Sequence, residues 1–255
     1  MKNTFKLEDI RKVESQPQVV ESANKNYLPV ETLPSKYKFY QVEKILARPL
    51  NVSEVKLLAS MDEDNFNNVM NDVLRKTLRG IEIDDILIGD KYFLIFWLRG
   101  NTYKNSGYEL DFHCSKCAMD SKYNFGIEIL DIKYIDDAFD PSIEKVLPNS
   151  GDKVTIKYKT IRAENKLKEF VKRTKTTITK YDEEILEISS NLSKVNGEEL
   201  SVLNKYEYVE KMHPSDFAFL ISYVDSATFG VKAEVNAVCN ACKGVTPVGV
   251  TFRSE

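Results

Sequence analysis

The chain has 255 residues, 42% of them hydrophobic and 11% aromatic, enough to bury a substantial core as one large domain or two smaller ones. Lys and Arg number 36 against 39 Asp and Glu, a net charge of -3, so no overall field favours a polyanion and nucleic acid is not the expected partner. The N-terminus lacks the apolar core and small-residue cleavage site of a signal peptide, and no stretch reaches the ~18 apolar residues of a membrane helix, so the expectation is an intracellular protein with no membrane partner.

Residues 1–28 are polar, with little apolar periodicity, and read as an arm that is mobile or docked on a partner. From Leu33 to Ala47 the text turns aromatic and extended between Pro34 and Pro49, which predicts a small strand pair turning near Gln41–Lys44. Ser53 is placed to cap a short helix from Glu54 to Ser60, and Asp62 to cap the next. In that next helix Phe66, Val69, Met70, Val73, Leu74 and Leu78 keep helical spacing, with Arg75, Lys76 and Arg79 near the end and Gly80 to stop it. Asp90 then reads as the cap of Lys91–Arg99, a helix apolar nearly all round and therefore central to the core.

After Gly107 an alternating strand runs into Cys114-Ser-Lys-Cys117 and another runs out of it; "VKAEVNAVCNACKGVTPVGVTF" repeats that layout around Cys239 and Cys242. Between the hairpins, Val154, Ile156 and Tyr158 alternate as a strand, and helical groupings follow. These are Leu167/Phe170/Val171, then Ile185/Leu186/Ile188/Leu192 before Gly197, and finally Phe217/Leu220/Ile221/Val224, with Pro214 opening the last helix.

Two CxxC knuckles are what a structural zinc ion requires: each short loop presents two thiolates, and two loops complete a tetrahedron. The predicted ligands are Cys114, Cys117, Cys239 and Cys242, although 121 residues separate Cys117 from Cys239. Such a gap is allowed if the ends of the intervening segment lie side by side. Two other readings of the cysteines stand beside this one, a disulfide-exchanging dithiol and an iron–sulfur centre. The strand-knuckle-strand context favours the closed tetrathiolate, a site whose role is folding rather than catalysis. His113 is a candidate substitute ligand, but strand alternation points it away from its neighbour Cys114.

The predicted fold class is α+β: a zinc-ribbon-like pair of β-hairpins joined by the four cysteines, with an N-terminal helical region and an inserted, mainly helical subdomain. The divisions fall at 1–28 for the arm, 29–106 for the hairpin and helical region, 107–130 for the first ribbon hairpin, 131–229 for the insert and 230–255 for the second hairpin. Lys166, Lys168, Lys172, Arg173, Lys175 and Lys180 form a basic run that supports an alternative function, a zinc-ribbon nucleic-acid binder. Phe170 and Val171 interrupt the run at core spacing and Glu169 dilutes it, as in a solvated helix face. The adjacent acids Asp84/Asp85, Asp136/Asp137 and Glu183/Glu184 diverge in direction and form no general acid/base pair, and neither His113 nor His213 has a triad context, so no enzyme is expected.

With these stretches laid out, the chain resembles the baseplate hub subunit family of contractile-tailed, T-even-like phages. The resemblance covers about 33–252. It lies in the order of features: a Leu-Pro start at Leu33, Arg48-Pro49-Leu50 before a helix, the apolar helix ending in Arg99, "LPNSGDKVTIKYKTIRAE", and the paired cysteine knuckles. The chain departs from the pattern in a longer polar N-terminal arm and in the ending Lys243–Pro247. The resemblance implies a non-enzymatic component or assembly factor of the tail baseplate hub, made in the host cytoplasm. It also implies that the four cysteines carry structural Zn2+ and that the partners are other baseplate or tail proteins, with no small-molecule substrate.

Overall fold

The structure, a computed structural model, describes residues 26–62, 65–103, 108–138, 140, 144–174, 179–232 and 234–250. Nearly all of the polar arm, together with Gly107 and Lys175, lies outside the described residues.

Leu28–Pro29 (β1), Leu46–Ala47 (β2) and Leu78–Arg79 (β3) form a three-stranded antiparallel sheet in the order β1-β2-β3. The strand pair expected between 33 and 47 is therefore shifted outward, and its turn is made by residues 34–39. There Lys36 and Tyr37 both take positive φ, and the Tyr37 hydroxyl donates to Val30 O. Val52–Ala59 (α1) is capped by Asn51 rather than Ser53: the Asn51 side chain accepts from Glu54 N–H, and the Glu54 carboxylate accepts from Asn51 N–H. Arg48 grips the same carboxylate with both guanidinium nitrogens, at 2.9 and 2.6 Å, so the turn before the helix is pinned twice. In Phe66–Thr77 (α2) the expected stripe of Val69, Met70, Val73 and Leu74 is buried, and Gly80 beyond it takes φ +88.

Ile88–Thr102 (α3) is the central helix that the apolar run predicts, with Phe93, Leu94, Ile95, Phe96 and Leu98 buried. Asp90 does not cap it. It is the third residue of the helix, fully buried, and accepts from Ser35 N–H (3.0 Å) and from the Tyr40 hydroxyl (2.7 Å), tying the 34–40 turn to the core. Burial raises its pKa despite these donors. Lys91 beside it is also fully buried, donating to Asn67 Oδ1 on α2 at 2.8 Å.

A second core belongs to residues 147–227. Lys145–Val146 (β4), Lys153–Ile156 (β5), Leu192–Val195 (β6) and Glu198–Glu199 (β7) form an antiparallel sheet in the order β7-β6-β5-β4. Ile161–Thr174 (α4), Lys180–Asn191 (α5), Val202–Glu210 (α6) and Pro214–Ala227 (α7) complete this unit. Pro214 opens the last helix as expected, with the His213 ring accepting from Ser215 N–H. The helical pattern read as far as Gly197 stops at Asn191. Leu192–Glu199 is instead a hairpin turning on Asn196-Gly197, whose positive φ values of 51 and 83 suit that dipeptide.

The two ends of this intervening segment meet. Asp131–Lys133 (β8) pairs antiparallel with Gly230–Lys232 (β9), in the register Gly230↔Lys133, Val231↔Ile132, Lys232↔Asp131. β9 crosses the first turn of α3 so closely that a Cβ on Gly89 would lie 2.5 Å from Phe229 O, and one on Gly230 2.9 Å from the Gly89 backbone. Gly230 also takes φ +128. Lys91 reaches the second unit too: its Nζ lies 3.6 Å from Glu164 on α4, and burial, opposed by Glu164, lowers its pKa to about 8. Arg162 on α4 pairs with Asp85 at 2.9 Å.

Gly89→Ala is expected to destabilise the folded chain by about 1–3 kcal/mol, because backbone rather than a side-chain tip blocks the added methyl. Denaturant midpoints of the variant and the parent check this, and equal midpoints would show that the crossing relaxes freely.

Candidate metal centre

The cysteines sit at the tips of two hairpins rooted in the first core. Tyr108–His113 (β10) pairs with Asp120–Phe125 (β11), closing at His113↔Asp120, one residue before Cys114. Glu234–Val238 (β12) pairs with Val245–Gly249 (β13), closing at Val238↔Val245, one residue before Cys239. Tyr108 and Phe125 from one base and Val235 and Val250 from the other enter the same core, with Tyr108 also donating to Phe96 O of α3 at 2.8 Å. Both hairpins therefore rise from one foundation, and their tips meet.

The four sulfurs lie within 4.8 Å of one another. Cys114 Sγ is 3.7 Å from Cys242 Sγ, and Cys117 Sγ is 3.7 Å from Cys239 Sγ, so both close contacts run from one knuckle to the other. A disulfide needs ~2.05 Å. A tetrahedral metal with ~2.3 Å bonds to sulfur instead sets its ligands ~3.8 Å apart, close to the spacing found here. Cys114 and Cys239 are buried, Cys117 is half-buried and Cys242 is exposed.

The knuckle backbones repeat each other. Cys114 N–H donates to Met119 O and Ala118 N–H to Cys114 O; Cys239 N–H donates to Gly244 O and Lys243 N–H to Cys239 O. Ala118 and Lys243 share φ +57. Cys114 Sγ accepts from the N–H groups of Cys117 and Lys116, which hold its thiol down at about 6, and Cys239 is lowered in the same way by those of Cys242 and Ala241. Met119 N–H favours the Cys117 thiolate, but the neighbouring sulfurs and burial outweigh it and push that thiol up to about 12. Gly244 N–H donates to Cys242 Sγ at 3.3 Å, and the Lys116 side chain lies across Gly244, with Cδ 2.6 Å from where a Cβ would be. Thiolates supported by N–H donors and spaced for a tetrahedron fit a soft or borderline divalent ion.

Between the hairpins Ser115 N–H donates to Thr246 Oγ1 (3.2 Å) and Asn240 N–H to Ser121 Oγ (3.0 Å). These contacts had no counterpart in the sequence reading. The signal was present, since Ser121 and Thr246 each stand seven positions after the first cysteine of their hairpin.

The other candidates go elsewhere. His113 is exposed and pairs with Asp120 at 3.0 Å, away from the sulfur cluster. Asp137 is held down at about 2 by Lys36 and Lys38. In the basic run Lys168 pairs with Glu164 (3.0 Å) and Arg173 with Glu169 (3.9 Å), both within α4. No described helix is long and apolar enough to cross a membrane.

The chain is thus a mixed α+β protein with seven described α-helices, several small antiparallel sheets and a four-cysteine cluster compatible with a metal ion. Residues 25–252 match the model of the family described as T4 bacteriophage base plate protein, and the chain belongs to that family. No curated protein and no solved structure matches it.

Because Cys117 keeps its proton until a cation displaces it, adding zinc to the reduced, chelator-treated protein at pH 7 is expected to release acid. A pH indicator in weak buffer reads the release. An unchanged signal would show that the sulfurs do not ligate.

Proposed function

We propose that the chain is a non-enzymatic structural component or assembly factor of the phage tail baseplate hub, cross-linked by one structural zinc ion on Cys114, Cys117, Cys239 and Cys242. The family match over 25–252 carries the baseplate reading, and the mutual approach of the four sulfurs supports the zinc. Four thiolates close the coordination shell and leave no position for water or substrate, so the ion would supply a cross-link between the hairpins.

In this reading the two hairpins form a ribbon, 131–229 is a unit inserted between them, and the arm that precedes β1 is available to a partner. The partners are other baseplate or tail proteins, met in the host cytoplasm during assembly.

Cys114→Ser or Cys239→Ser is expected to lower zinc content from one per chain and to cost on the order of a few kcal/mol, about 10 °C in Tm for a chain of this size. Metal analysis and calorimetry of the same samples test the cross-link, which fails if Tm is unchanged. For the baseplate reading, a phage lacking this gene is examined by electron microscopy. The expected outcome is tails without complete baseplates, restored by the wild-type chain, and normal contractile tails would overturn the assignment.

A further inference from the structure

We infer that Ser121 and Thr246 are positioning residues for the metal, one device used twice to hold the two knuckles in register; the inference rests on the four-cysteine reading above. The second hairpin repeats the first 125 positions on, and the repetition extends beyond the cysteines. Ser121 aligns with Thr246, Ser115 with Asn240, Phe125 with Val250, and each hydroxyl receives the N–H that follows the first cysteine of the opposite hairpin.

The backbone donors of each knuckle can be followed one by one. In the first, the N–H groups of Lys116 and Cys117 go to Cys114 Sγ, that of Ala118 to Cys114 O and that of Met119 to Cys117 Sγ. In the second, those of Ala241 and Cys242 go to Cys239 Sγ, that of Lys243 to Cys239 O and that of Gly244 to Cys242 Sγ. These donors stay within their own knuckle and fix each pair of sulfurs. The remaining N–H, on Ser115 and on Asn240, crosses to the other hairpin, so the two hydroxyls fix one pair of sulfurs relative to the other. Two further contacts reinforce the crossing: the Ser115 and Thr246 hydroxyls are 3.1 Å apart, and Asn240 Nδ2 donates to Lys122 O at 3.0 Å. Thr246 Oγ1 also lies 4.0 Å from Cys114 Sγ.

This crossing serves the metal more than the fold. The Asn240–Ser121 bond is exposed, so water replaces a lost hydroxyl there; the Ser115–Thr246 bond is half-buried, but in both cases the hairpins keep their own strand pairing. What is lost is the preset angle between the knuckles, which the ion must then impose at a cost in affinity. Groups that orient metal ligands from outside typically change affinity by about 10–100-fold.

The test titrates full-length wild type, Thr246→Val, Thr246→Ser and Ser121→Ala with zinc against a chromophoric chelator, and with Co2+ to read the thiolate-to-metal absorption. Thr246→Val and Ser121→Ala are expected to bind one ion with the same cobalt–thiolate band but with affinity about 10–100-fold weaker. Thr246→Ser, which keeps the hydroxyl and loses only the methyl, stays close to wild type. Wild-type affinity in both Thr246→Val and Ser121→Ala overturns the inference, as does a Thr246→Ser variant as weak as Thr246→Val. If Thr246→Val does not fold, Ser121→Ala decides alone. A wild-type chain that binds neither ion overturns the four-cysteine reading itself, a result visible before any variant is compared.

Discussion

Three residue pairs, Gly230↔Lys133, Val231↔Ile132 and Lys232↔Asp131, govern where the second cysteine pair can be. The chain leaves the first hairpin through β8 and returns to the second through β9, its neighbour in the same small sheet. The entropic cost of closing the 121-residue loop between Cys117 and Cys239 is therefore met by the core and sheet of the intervening segment, and the sulfur cluster has only to join tips already brought near each other. The close crossing of Gly89 and Gly230 places β9 against α3, the helix that also receives Tyr108 from the first hairpin. Both hairpins are thus referred to one rigid element.

The contact between the two cores includes a buried polar cluster. Lys91 sits in full burial between Asn67 and Glu164, and Lys168 also holds Glu164. A buried ion pair contributes little net stability once desolvation is counted, but removing one partner leaves a charge stranded, so the arrangement fixes orientation more than it adds strength. Leu87, Ile135 and Phe229 make a small apolar cluster beside it. Backbone pairing of Ile86 and Ile88 with Ile161 and Lys159 joins the two units as well.

The sequence made the helices of the first unit, the central role of α3, the start of α7 at Pro214 and the paired hairpins legible, because each rests on local periodicity or a local turn residue. The four cysteines were legible as a set because strand alternation around each CxxC says that the knuckle is a hairpin tip. What escaped depended on tertiary context. Asn51 takes the cap from Ser53 because Arg48 and Glu54 fix the turn two residues earlier. Asp90 reads as a cap and Lys91 as the first residue of the helix, yet both are buried because partners come from 34–40, Asn67 and Glu164. The α5 pattern ran on past Asn191 because Leu192 and Val195 serve a strand as well as a helix, although Asn196-Gly197 marked the turn. The resemblance to the baseplate family, carried by the order of features along the chain, agrees with the family match over 25–252.

The doubled hairpin also bears on how such a chain can diversify. Departure and return through adjacent strands turn the intervening segment into a slot: its contents can lengthen, shorten or be exchanged without displacing a sulfur, as long as β8 and β9 remain paired. Selection acting on a new contact surface there would meet little resistance from the cysteine tips.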